Sequence, residues 1–195
     1  RLTLRLGLEL GSAPFFPDKA QAAVDRPEVD FVIGSLHNLT PEAGGGDFYF
    51  VDYQTPETCY ACLDNYFGSM LRLAPMSCCD ALGHIIYPLR YMNLRAGQNV
   101  SLDRYRDQLR EILRLAVHNG RSIEVNTYNG RTVDDWRPVL ALYREVGGEL
   151  VTVGSDAHSP ENVAKGVREA YELLADTGFR YVTVYEKRVP RPVKL

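Results

Sequence analysis

The sequence predicts an α/β fold, a parallel sheet with helices packed outside it. Short aliphatic runs at residues 3–10, 31–36, 80–86, 122–127, 150–154 and 181–185 alternate with stretches of helical period. Runs such as Leu150-Val151-Thr152-Val153 are almost continuously apolar or β-branched, as buried parallel strands are. Four of the runs also deliver a chemically active side chain at their C-terminal ends: Glu9, His37, His84, and Asp156 with His158. In α/β barrels the chemistry sits at that end of the strands.

The 195 residues suit one domain with a sizeable core. With 45% hydrophobic and 24% charged residues, the composition is that of an ordinary globular protein. A net charge of -3 gives no long-range pull toward nucleic acid or an anionic membrane, so an anionic substrate needs local cations or metal. No apolar run approaches the roughly 20 residues of a membrane span. The chain opens without Met or a signal segment, inside an apparent strand.

The first strand, residues 2–10, reads Leu6-Gly7-Leu8-Glu9-Leu10-Gly11 near its end. A Glu among leucines is costly to bury unpaired, so Glu9 is expected at the strand end, in a salt bridge or on a cation. Residues 17–26 read as a short helix. Phe31-Val32-Ile33-Gly34-Ser35-Leu36-His37 is an apolar strand that meets a small-residue turn and a histidine. Residues 38–50 carry Gly44, Gly45 and Gly46 and read as a flexible loop suited to an active-site lid.

Residues 55–73 have helical spacing, with Pro56 as first helical residue and Tyr60, Leu63, Phe67 and Leu71 on one core-facing stripe. That helix carries Cys59 and Cys62. A zinc ribbon needs a second C-x-x-C within turns, and the adjacent Cys78 and Cys79 cannot easily share one tetrahedral ion. Reduced, partly buried thiols in a cytoplasmic protein are expected. The third strand ends in Gly83-His84, and residues 87–99 look irregular. A helix opens at Ser101 and stops at Gly120. His118 lies in its last turn, where the dipole alone accounts for a histidine. A further strand, residues 122–127, precedes helices at residues 133–145 and 160–176, the latter beyond the Gly154-Ser155-Asp156-Ala157-His158 turn. The strand at residues 181–185 and a proline-rich tail complete the chain. Neither a G-x-G-x-x-G nor a P-loop is present.

Taken singly, Asp156 suits a helix cap and His158 a loop histidine. Taken together, three of the four histidines directly follow apolar strands, and three imidazoles with two carboxylates at one mouth suit zinc, manganese or iron. A carboxylate can also bridge two ions.

The segments Phe31–His37, Leu82-Gly83-His84, Ile123-Glu124-Val125-Asn126-Thr127 and Gly154–His158 resemble the PHP metallophosphoesterases, histidinol phosphatases above all. Residues 178–186 are similar to theirs as well. The resemblance implies a distorted (β/α)7 TIM-like barrel with up to three divalent ions (Zn, Mn or Fe). It makes Glu9 the bridging carboxylate, with His37 and His84 on the same ion, Asp156 on a second ion and His158 on a third. Asp156 and His158 then act in catalysis through the metals, and Arg90 and Arg131 grip the substrate phosphate, as bidentate guanidinium groups do well. The implied activity is phosphomonoester hydrolysis by metal-activated water, with L-histidinol phosphate as substrate and no covalent enzyme intermediate, in histidine biosynthesis. Two other readings stand beside it: a PHP phosphoesterase for another small phosphoester or nucleotide, and a metal-binding domain without turnover. Weak basic character argues against long nucleic acid. The resembled family opens with a strand ending in His-x-His, and a second ending in His. Neither is in this sequence, so the resemblance implies either a fragment, with roughly two strand–helix units upstream of Arg1, or a degenerate member of the family. Relatives often carry Asp two residues after the Gly-His histidine, where this chain has Ile86.

Overall fold

The computed structural model describes residues 3–195, so Leu2, at the expected start of the first strand, lies outside the described residues. Five parallel strands form one sheet in sequence order: β1 (Gly7–Gly11), β2 (Phe31–Ser35), β3 (Ala81–Leu82), β4 (Ser122–Asn126) and β5 (Val151–Gly154). Parallel neighbours need long crossovers, which here run through α1 (Pro17–Val24), α2 (Pro56–Leu73), α3 (Arg106–His118) and α4 (Arg137–Glu145). Successive crossovers that each add the next strand on the same side give barrel-type winding. No strand joins β1 to β5 among the described residues, so the barrel is not closed. No helix among them is long and apolar enough to cross a membrane.

The strand expected at 181–185 does not extend the parallel sheet. As β6 (Tyr181–Glu186) it pairs antiparallel with β7 (Val189–Lys194), in the tail that reads as strandless because of its prolines. Lys187 and Arg188 form the two-residue turn with φ of 50° and 65°, the backbone that matches strand twist in tight hairpins. Pro190 and Pro192 are tolerated because β7 is an edge strand. The hairpin closes the N-terminal end of the sheet. The Lys187 and Arg188 N–H groups donate to Asp30, Arg188 Nε lies 2.5 Å from Asp80 Oδ2, and the Tyr185 hydroxyl reaches Ser122 Oγ at 3.0 Å.

Two of the expected helices start late. Residues 103–105 are a 3-10 turn leading into α3, and residues 134–136 a 3-10 turn leading into α4. The helix expected from Pro160 is broken: Ala164 and Gly166 have φ of 62° and 74°, and α5 (Val167–Asp176) starts beyond them. Gly166 is needed there because a Cβ would press on the backbone of Gly130. The stretch expected to be irregular contains a π-helical segment, Arg90–Arg95.

The core lies between the sheet and the helices. On α2, Leu63 and Phe67 are fully buried, while Tyr60 and Leu71 are only partly covered. Cys59 and Cys62 are on α2, and all four thiols are unbridged and buried. Packing is tight where β2 crosses Cys79. A Cβ on Gly34 would stand 2.8 Å from Cys79 Sγ and 3.3 Å from Leu73 Cδ1. Gly34→Ala is therefore expected to destabilise the fold by about 2 kcal/mol through overpacking. A lower denaturant midpoint at unchanged slope would show it, and an unmoved midpoint would show that α2 yields freely.

Candidate metal centre

Along β1 the side chains alternate, so Leu8 and Leu10 pack toward the helices and Glu9 turns to the opposite face. His37 lies two residues beyond β2 and His84 two beyond β3, so both imidazoles leave the strand ends on Glu9's side. Their Nε2 atoms are 3.1 Å apart, and each is 3.1 Å from Glu9 Oε1. Each Nε2 can donate to Glu9 when it carries the proton and offers a lone pair to an ion when it does not. Donors in a tetrahedral shell with bonds of about 2.0–2.1 Å stand roughly 3.3 Å apart, close to this triangle. The residues fit a divalent ion, and among those described they are the group that meets the spacing. Hydrogen bonds from His37 and then His84 hold the Glu9 carboxyl well below the usual carboxylate range, against the opposing effect of burial.

Backbone strain marks two of these positions. His84 has φ of 23° and Asp156 has φ of 54°. Non-glycine residues in that region cluster where neighbouring structure over-determines them. The turn after β5 faces Asp156 inward. His158 is exposed, and its Nδ1 donates to the Asp156 carbonyl at 2.8 Å, which leaves Nε2 free as a donor atom. His84 lacks such a bond: its Nδ1 is buried without a hydrogen-bond partner among the described residues. Ile86, two residues on, is buried in the core.

Glu9, His37, His84, Asp156 and His158 all line one cavity of about 360 Å³. Arg90 forms part of its wall and is buried. Its Nη1 donates to Asp156 Oδ2 at 3.1 Å and its Nη2 to Asn126 Oδ1 at 3.3 Å, and its plane lies 4.2 Å from the Tyr128 ring and 4.8 Å from Tyr87. Arg131 is not brought into the lining. It is exposed, with its Cζ 5.3 Å from the centre of the Tyr128 ring.

Several residues of the site escape the sequence reading. Asp47, Tyr49, Tyr87, Tyr91 and Tyr128 complete the lining. Asp47 and Tyr49 come from the loop expected to be a flexible lid, and that loop is pinned. Asn38 bridges to Asp47, Asn65 of α2 holds Thr40, Phe48 is buried, and Arg95 clasps the carbonyls of Tyr49 and Val51 at 2.6 and 3.2 Å. Behind the triad, Glu124 Oε2 accepts the backbone N–H of His84 at 3.1 Å, and burial pushes its carboxyl upward. The i, i+4 spacing of Tyr87 and Tyr91 was the one visible signal for this wall.

The model of the PHP domain family matches residues 1–128. A probable histidinol-phosphatase of Clostridium acetobutylicum is 30% identical over 190 residues, covering 94% of this chain and 71% of the relative. The histidinol-phosphatase of Lactococcus lactis subsp. lactis is 24% identical over 199 residues, covering 95% and 69%. Among solved structures, the Lactococcus lactis histidinol phosphate phosphatase in complex with zinc, L-histidinol and phosphate superposes with a TM-score of 0.79 at 22% identity. That superposition covers 97% of this chain and 72% of the other, so the two share a fold. The chain belongs to the PHP domain family.

Proposed function

We propose that residues 1–195 belong to one metal-dependent phosphomonoesterase domain that hydrolyses L-histidinol phosphate to L-histidinol and phosphate in the cytoplasm. The observation that carries this reading is the inward-facing triangle of Glu9, His37 and His84, with a buried arginine on the wall of the same cavity. The substrate follows the names of the relatives: a probable histidinol-phosphatase in C. acetobutylicum and a histidinol-phosphatase in L. lactis.

Glu9, His37 and His84 hold a first ion, and Asp156 and His158 offer donors for further ions across the cavity. Divalent ions bound there supply Lewis acidity and water activation, each worth several kcal/mol. The protein's own groups do the rest. Arg90, fixed between two tyrosine rings, presents its fork to phosphate oxygens and neutralises charge that builds up in the transition state. Tyr49, Tyr87 and Tyr91 form an apolar wall for the imidazole of the substrate. The Asp47 carboxylate at the same wall suits its ammonium group.

Phosphate release by the zinc- or manganese-loaded protein tests the proposal. L-histidinol phosphate should be turned over, and a chelator should abolish the reaction until metal is restored. Preference for a nucleotide or another phosphoester would replace the substrate, and metal binding without any phosphate release would make the domain a non-catalytic one. Arg131→Ala is expected to lower kcat/KM roughly thirtyfold, about 2 kcal/mol, if the long side chain reaches the phosphate from the rim. Unchanged kinetics would leave Arg131 a surface charge.

A further inference from the structure

Glu124 sits at the centre of β4, a strand buried throughout, and its hydrogen bond goes to a backbone N–H rather than to a cation. Burying a carboxylate in that way costs several kcal/mol, so its presence needs a reason. The reason lies in how β3 ends. That strand is two residues long, and its last ladder bond is from the Gly83 N–H to the Gly34 carbonyl at 2.8 Å. The next N–H, that of His84, has left the ladder, and Glu124 Oε2 receives it at 3.1 Å. At that residue the backbone turns to φ of 23° and swings the imidazole toward Glu9 and His37. Metal-binding imidazoles are usually oriented through their second ring nitrogen. The Nδ1 of His84 has no partner among the described residues, so the ring is held through its backbone instead. On the far side, Gly154 leaves room for Glu124: a Cβ there would collide with Oε1.

We propose that Glu124 is a positioning residue that fixes the His84 imidazole in the metal-binding geometry by accepting its backbone N–H, with Gly154 as the seat that admits the carboxylate. This rests on Glu9, His37 and His84 being a metal centre, and it adds the residue that sets the angle of one ligand. The test is zinc affinity, measured by competition with a chromophoric chelator, alongside the thermal midpoint of the zinc-free protein. Glu124→Ala should weaken zinc binding by about 10- to 100-fold, while Glu124→Gln, whose amide oxygen still accepts the N–H, should stay within about threefold of wild type. Gly154→Ala should weaken the same affinity by displacing the carboxylate, and it carries the test with Glu124→Gln if Glu124→Ala does not fold. A role confined to stability would lower the midpoint and leave zinc affinity alone. Wild-type affinity in folded Glu124→Ala or Gly154→Ala overturns the proposal, as does a Glu124→Gln variant as weak as Glu124→Ala. Failure of the wild type to hydrolyse L-histidinol phosphate while it binds zinc removes the functional reading and leaves this one standing. A wild type that binds no zinc removes this one.

Discussion

Glu9→Gln is expected to lower kcat/KM for the phosphoester by at least about 10³-fold, equivalent to roughly 4 kcal/mol of transition-state stabilisation. Glu9 Oε1 is the point where both imidazoles meet, and their hydrogen bonds keep the carboxyl ionised far into acid. An amide in its place removes the negative charge that offsets the cation. It also leaves two imidazole N–H groups competing for one neutral, weaker acceptor oxygen. Folding should survive, because Glu9 lies on the exposed edge strand β1 with 44% of its side chain accessible. Circular dichroism should therefore match the wild type while zinc stoichiometry falls. A Glu9→Gln protein that keeps one tightly held zinc and turns over within tenfold of wild type would remove Glu9 from the ligand set.

How much of this site can be read from the sequence depends on how local each residue's role is. His37, His84 and the Asp156–His158 pair are visible because each follows its own apolar run, and parallel strands bring such ends together. Glu124 is invisible by the same logic. It reads as one residue of a strand, and only the early end of β3 beside it gives the side chain work to do. The Gly44–Gly46 loop reads as flexible because glycine is permissive, yet part of the restraint on the residues that follow it comes from Arg95, some fifty residues away. The β6–β7 hairpin is hidden from the sequence for a physical reason as well. Its turn is Lys187-Arg188 rather than an Asn-Gly type, and left-handed backbone at those residues is held by tertiary contacts with Asp30 and Asp80. Arg90 stands between these cases. Resemblance marks it as a phosphate ligand, but no local pattern foretells its seat between Tyr87 and Tyr128.

That seat makes Arg90 the side chain with the next largest expected effect. Arg90→Ala should lower kcat/KM by roughly 10²- to 10³-fold, about 3–4 kcal/mol. Two losses combine. The phosphate loses a planar, desolvated cation, which is worth more in a buried site than at a surface. Asp156 also loses its partner at 3.1 Å, and a largely covered carboxylate left without one can swing out of the cavity. Arg90→Lys separates charge from geometry. Lysine keeps the positive charge, but it has neither the fork that meets Asp156 and Asn126 together nor the flat face that lies against two rings. It should recover no more than about tenfold of the loss. The decisive comparison is kcat/KM for both variants beside zinc content and thermal midpoint. Losses in turnover with full zinc content place Arg90 on the phosphate. Losses that track depleted zinc instead give it the narrower task of holding Asp156 in place. Wild-type turnover by Arg90→Lys would show that any cation on this wall suffices, and that the tyrosine stack serves the fold alone.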